Sequence, residues 1–175
     1  MYGGSCYLNN AAIAAAALAA EGRTVAVVDV DAHHGNGTQE IFYAADDVRT
    51  GSVHVDPGAG WFPHFLGFAD EDGGGTNRNV PVAPGTGDDG WLAAVEHVAT
   101  WAQDADVLVV ALGVDAAEAD PESPLRVTSE GYRAAGRLLG RLGVPAVVVQ
   151  EGGYELGRIG ELVVAFLTGL EEATP

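Results

Sequence analysis

Val27-Val28-Asp29-Val30-Asp31-Ala32-His33-His34-Gly35-Asn36-Gly37 joins an apolar run to three metal-ligating side-chain types at alternate positions. Side chains of a β-strand repeat every second residue, so this spacing aims Asp29, Asp31 and His33 at one side. The lead-in Val25–Val28 reads as a buried parallel strand, and a glycine-rich loop follows it. Open α/β sheets place their ligands at the carboxyl ends of strands. A strand ending in carboxylate, carboxylate and imidazole therefore predicts half of a metal site.

The flanking sequence extends the same pattern. Asn9 or Asn10 can cap a helix through the alanines 11–20, with Gly22 as its stop signal. Strands are expected at Val25–Asp31, Gly51–Val55, Val107–Leu112 (Val-Leu-Val-Val-Ala-Leu) and Ala146–Glu151 (Ala-Val-Val-Val-Gln-Glu). Apolar helices are expected near Asp88–Gln103, over Thr128–Leu142 with Thr128 as cap, and over Leu156–Leu170. Alternating strands and helices mean an α/β fold, a parallel sheet flanked by helices with right-handed crossovers. Residues 56–87 carry many Gly and Pro and no clear periodicity, and a loop that long is usually functional.

Length and charge narrow the classes. A chain of 175 residues is expected to form a single domain and can bury roughly 70% of its unfolded surface. A 47% hydrophobic content argues for a folded globule. No apolar run approaches the roughly 18 residues that cross a bilayer. The single cysteine, Cys6, rules out an intramolecular disulfide framework and fits a reducing cytoplasm. The net charge is −17, and all eight basic residues are arginine. So acidic a surface opposes binding to nucleic acid or anionic membranes and favours cationic small molecules, although solubility alone also accounts for it.

Two later strand ends complete the candidate site. The third expected strand runs into Leu112-Gly113-Val114-Asp115, and the fourth into Glu151-Gly152-Gly153-Tyr154. In a parallel sheet these ends open on one edge, where Asp31, His33, Asp115 and the Tyr154 phenol can converge. Two carboxylates and an imidazole suit a divalent metal, and three protein ligands leave a position for water or substrate. The donors do not by themselves choose among Zn²⁺, Fe²⁺ and Co²⁺.

Several segments together resemble the histone deacetylase superfamily of zinc amidohydrolases, from Tyr2 to Leu170. They are Gly4-Ser5-Cys6-Tyr7-Leu8-Asn9-Asn10, residues Asp29 to Gln39, Asn79-Val80-Pro81 with Pro84-Gly85-Thr86-Gly87, and Glu151-Gly152-Gly153-Tyr154. Trp61-Phe62-Pro63-His64-Phe65-Leu66-Gly67 and Leu112-Gly113-Val114-Asp115 point within it to the bacterial acetylpolyamine amidohydrolases. The resemblance implies an arginase/deacetylase-like three-layer fold and hydrolysis of an N-acetyl amide on a polyamine or lysine side chain. It implies Asp31, His33 and Asp115 as zinc ligands and Tyr154 as hydrogen-bond donor to the amide oxygen. It makes Asp29 the carboxylate that orients a catalytic histidine, and gives Asp29, Ser52 and the Val53 carbonyl contacts to a structural K⁺. Phe62 matches one tunnel wall, Gly4, Ser5 and Gly152 lie along the tunnel, and Asn36 matches the contact to a second catalytic histidine.

The family's general base and acid belong to a Gly-His-His pair ahead of the first of these segments. This chain begins at Met1, immediately before that segment. His33-His34 cannot replace the pair, because His33 is claimed by the metal. The expectation is therefore a C-terminal portion of a longer enzyme, incomplete at its N-terminus. The alternatives are a metal-binding pseudoenzyme and a two-metal, arginase-like hydrolase. Ser5 stands where the family usually has an aromatic, implying a wider slot. A sheet lacking edge strands leaves a homodimer open as an arrangement.

Overall fold

A computed structural model describes residues 6–174 of the chain. Helix α1 (Asn10–Ala20) precedes strand β1 (Val25–Asp29), followed by α2 (Asn36–Phe42), β2 (Val48–Val55) and β3 (Asn77–Val82). Then come α3 (Asp88–Trp101), β4 (Val107–Leu112), α4 (Ser129–Gly140), β5 (Ala146–Gln150) and α5 (Ile159–Ala173). The strands form one parallel sheet in the order β3-β2-β1-β4-β5.

The alternation of side chains along β1 and β4 builds two cores from one sheet. Val25 and Val27, with Val107, Val109 and Ala111, face α1 and Phe42 of α2. Ala26 and Val28, with Leu108, Val110 and Leu112, face the larger core under α3, α4 and α5. Every residue of both strands is buried, which is why they read as unbroken apolar runs rather than alternating ones. The result is three layers, helix–sheet–helix. The chain steps outward from β1 to β3, then returns to the other side of β1 with β4. Right-handed crossovers put the helices of the two halves on opposite faces. This reversal makes the β1/β4 boundary a topological switch point, where open sheets bind ligands.

Local capping chemistry starts the helices as expected. The Asn9 side chain accepts the Ala12 N–H at 2.8 Å, and Thr128 accepts that of Gly131 at 3.2 Å. Thr128 also binds Asp88 through its N–H (2.8 Å) and hydroxyl (2.6 Å), which ties α4 to the start of α3. Alanines 11, 12 and 15 are the buried face of α1, and their small size lets that helix lie close on the sheet.

Several expectations need correction. The sheet has five strands rather than four, because β3 lies inside the stretch expected to be a loop. Its sequence, Asn-Arg-Asn-Val-Pro-Val, has polar residues on a buried face and a proline tolerated only because β3 is an edge strand. Strand β1 stops at Asp29, not Asp31, and β2 begins at Val48, not Gly51. The glycine-rich stretch after His34 contains a short helix, α2. Finally, α5 begins at Ile159, three residues later than expected.

Helices α4 and α5 approach each other through glycine. A Cβ on Gly169 would strike the Arg133 carbonyl, and one on Gly136 the Phe166 carbonyl. Backbone cannot swing aside as a side-chain tip can. Gly169→Ala is therefore expected to destabilise the fold by about 1–2 kcal/mol in urea unfolding. Overpacking, at about 1–3 kcal/mol, outweighs the roughly 1 kcal/mol helix-propensity gain of alanine. A neutral or stabilising result would contradict this close approach.

Candidate metal centre

Asp31 and His33 follow β1 across the switch point from Asp115, which follows β4. One donor atom from each of the three lies within 4.8 Å of the others, the one such group found among the described residues. His33 Nδ1 is 3.1 Å from Asp31 Oδ1 and 3.0 Å from Asp115 Oδ2. His33 Nε2 is 3.2 Å from the Glu122 carbonyl. A carbonyl only accepts, so Nε2 carries the hydrogen and Nδ1 is the atom turned to the carboxylates.

The turn after β1 sets this arrangement. Asp29 Oδ1 accepts the Asp31 N–H (3.0 Å), and Asp31 Oδ1 accepts the His33 N–H (2.8 Å). Such carboxylate-to-i+2 bonds bend the chain out of the strand. Asp31 and His33 thus converge through two successive turns, not through strand alternation, and Asp29 lies outside the group. The remaining carboxylate oxygens are also held: Asp115 Oδ1 accepts the Ala32 N–H at 2.7 Å, and Asp31 Oδ2 that of Gly152 at 2.9 Å. Space is kept by glycine. A Cβ on Gly152 would land on carboxylate oxygens of both Asp31 and Asp115, and one on Gly113 would strike Asp31.

Electrostatics define what the group lacks. Burial, then the charge of Asp31, pushes the Asp115 carboxyl up to about 7. Burial opposes a charge on His33, but its hydrogen bonds to Asp115 and Asp31 and their charges prevail and raise it to about 10. Burial also works against ionised Asp31, yet the bond and charge of His33 hold its carboxyl below the usual value. Two adjoining carboxylates thus demand a positive charge between them. An imidazolium proton supplies one, and a divalent cation bound to Nδ1 and both carboxylates suits the same donors.

The other expected residues surround this group or lie apart from it. The Phe62 ring meets His33 edge-on, with centroids 6.4 Å apart. Tyr154 is half exposed at the rim, and burial followed by the charges of Asp115 and Asp31 pushes its phenol up to about 12. Asp29 is buried, and burial followed by the charge of Asp31 raises its carboxyl well above the usual range. Asn36 is buried at the start of α2. The Val53 side chain packs in the larger core. Gly4 and Ser5 lie outside the described residues.

A buried polar network that sequence reading missed anchors the loop carrying Phe62. Gln39 Oε1 accepts the Asn77 and Asn79 amides (3.0 and 2.8 Å) and lies 2.9 Å from His34 Nε2. Glu71 accepts from Gln39 (2.7 Å) and from the Gly67 N–H (3.0 Å). His54 Nε2 donates to the Gly67 carbonyl and Nδ1 accepts from the Ser52 hydroxyl, both at 2.8 Å. The one available signal was the polar Asn-x-Asn opening β3.

Two measurements test this geometry. Gly152→Ala should cut zinc affinity at least about tenfold in chelator competition while the fold persists; unchanged affinity would mean the carboxylates do not converge there. The second concerns His54, which burial and then neighbouring His34 push down to about 3. Between about pH 3 and 6.5 the unfolded chain binds the proton that folded His54 refuses, so stability falls as pH drops through that window, by up to about 1.4 kcal/mol per unit. His54→Gln, which can still donate to Gly67, should shrink the stability difference between pH 7 and pH 5 by about 2 kcal/mol in urea unfolding. An unchanged difference would place a charged or exposed histidine there.

Comparison with known proteins adds a second line of observation. A histone deacetylase domain model matches residues 1–170. Acetylpolyamine amidohydrolase 1 of Pseudomonas aeruginosa is 48% identical over 98% of this chain and 51% of its own length. The acetylpolyamine amidohydrolase of Mycoplana ramosa is 45% identical over 97% of this chain and 52% of its own. The crystal structure of an acetylpolyamine aminohydrolase from Burkholderia pseudomallei superimposes with a TM-score of 0.93 at 41% identity, covering 98% of this chain and 52% of that one. The chain spans about half the length of the curated relatives it matches.

Proposed function

Because this chain belongs to the histone deacetylase domain family, we propose that it carries the metal centre of a zinc-dependent deacetylase acting on an acetylated amine. The observation that carries this reading is the convergence of Asp31, His33 and Asp115 at the switch point, beside Phe62 and packed against Gly152, where a Cβ would displace their carboxylates. An acetylated polyamine is the preferred substrate class. The names of its relatives point there, and a net charge of −17 suits a cationic amine. An acetylated lysine side chain is the second choice.

Zinc held by these three residues would polarise the amide carbonyl and lower the pKa of water. The chain's own groups prepare that chemistry. The Glu122 carbonyl keeps the His33 hydrogen on Nε2, leaving Nδ1 free to bind. The N–H groups of Ala32 and Gly152 fix the carboxylates without claiming every oxygen. Tyr154, with its phenol pushed up to about 12, stays protonated at neutral pH and donates to the amide oxygen as negative charge develops there. Phe62 gives the acyl chain an apolar wall. Asp29, Ser52 and the Val53 carbonyl would hold a potassium ion, an assignment supported by the buried Asp29 carboxylate.

The test combines metal stoichiometry with turnover. The chain should take up one zinc equivalent, and His33→Ala should lose it; two equivalents would favour an arginase-like centre instead. In the protein that bears this chain, acetate release from an acetylated polyamine should exceed that from an acetyl-lysine peptide. Tyr154→Phe should lower kcat about 10²–10³-fold with zinc retained. Zinc uptake without acetate release would reduce the proposal to a metal-binding protein, and zinc retained by His33→Ala would overturn the centre.

A further inference from the structure

Asp120 lies between β4 and α4, apart from the three candidate ligands, yet its carboxylate is buried and accepts N–H groups from two separate stretches of chain. Oδ2 accepts the Tyr154 N–H at 2.7 Å and the Glu155 N–H at 3.2 Å. Oδ1 accepts the Glu122 N–H at 2.9 Å. Glu122 is the residue whose carbonyl receives His33 Nε2. One carboxylate therefore joins the backbone beneath the rim tyrosine to the backbone that orients the metal-facing imidazole.

We propose that Asp120 is a positioning residue that sets Tyr154 and His33 relative to each other by clamping the 120–122 turn to the 154–155 backbone. This rests on the reading that His33 binds the metal and Tyr154 donates to the substrate. The physical case is geometric. Gly152 is held by Asp31 and Val114, but Gly153, at φ +146°, separates it from Tyr154 with a residue that has no side chain to restrain the backbone, so the placing of Tyr154 needs a hold of its own. Its half-exposed side chain offers little packing to fix it. Hydrogen bonds to a charged acceptor are roughly twice as strong as neutral ones, and Asp120 supplies two of them here. On the other side, the Glu122 carbonyl can hold Nε2–H only if the turn keeps that carbonyl in place. Asp120 braces the turn at both ends, since its own N–H donates to the Ala117 carbonyl at 3.0 Å.

Asp120→Asn separates this role from bulk. The amide keeps the size of the carboxylate but has one acceptor oxygen, so it cannot serve both stretches. With 3-fluorotyrosine in the full chain, ¹⁹F NMR reports Tyr154, assigned through Tyr154→Phe, and the fully buried Tyr132 as a reporter of the core. In the wild type, zinc addition should shift the Tyr154 signal. In Asp120→Asn with an unchanged Tyr132 signal, that response should disappear, and zinc affinity in chelator competition should fall about 10–100-fold. Unchanged affinity together with an unchanged Tyr154 response would overturn the role of Asp120. If the variant does not fold, amide exchange in the wild type decides the matter. Slow exchange at Glu122, Tyr154 and Glu155 supports the clamp, and fast exchange at Tyr154 and Glu155 overturns it. A wild type that takes up no zinc refutes the proposed metal centre instead, and the exchange measurement still reports the clamp separately.

Discussion

Two adjoining carboxylates, Asp115 fully buried and Asp31 partly so, govern this structure. Asp31 and Asp115 come from different strand ends, Asp115 lying 82 positions beyond His33, and neither is tolerable next to the other without compensation. The fold compensates with an imidazole between them and with backbone N–H groups from Ala32 and Gly152. That requirement extends outward. It explains why positions 113 and 152 have no Cβ, why His33 offers Nδ1 rather than Nε2, and why Asp115 is drawn fully inside. A site built this way exerts a standing demand for a cation, which is the property a metal centre needs.

The sheet makes the demand geometrically possible. Reversal of strand order between β1 and β4 makes their carboxyl ends the edge where open sheets hold ligands, and both strands are buried on two faces, so their ends are rigidly placed. The glycine-mediated contact between α4 and α5 covers one face, and the alanine face of α1 the other. Small residues on both helix layers bring backbone close to backbone, leaving little slack to misplace the ligands.

Around this rigid base the rim is held by hydrogen bonds as well as by the packing of Trp61 against the core. The long connection from β2 to β3, which carries Phe62, is anchored from beneath through Gln39, Glu71, Asn77, Asn79 and His54. On the opposite side, the loop carrying Tyr154 is anchored by Asp120. Polar anchoring suits loops that must present side chains to a substrate while their own backbone groups stay satisfied.

The sequence by itself determined what acts over a few residues. The valine runs marked β1, β4 and β5. Asn9 and Thr128 marked their helices because a cap needs only its own first turn. Asp31, His33 and Asp115 were recognisable because ligand types directly after apolar strands are rare. What acts across the fold stayed hidden. Asn77–Val82 lacks the composition of a strand and becomes one only because β2 has a free edge and a buried polar network receives its asparagines. Asp29 and Asp31 look equivalent in the alternating pattern, and only the turns after β1 send one into the candidate metal group and leave the other outside. Asp120, before a proline, looks like any turn residue. Its importance comes from meeting Tyr154, 34 positions away, and that contact exists only once β4 and β5 have paired. Periodicity and capping are written locally; the meeting of distant carboxylates and amides is decided by strand order, which burial of the whole sheet selects.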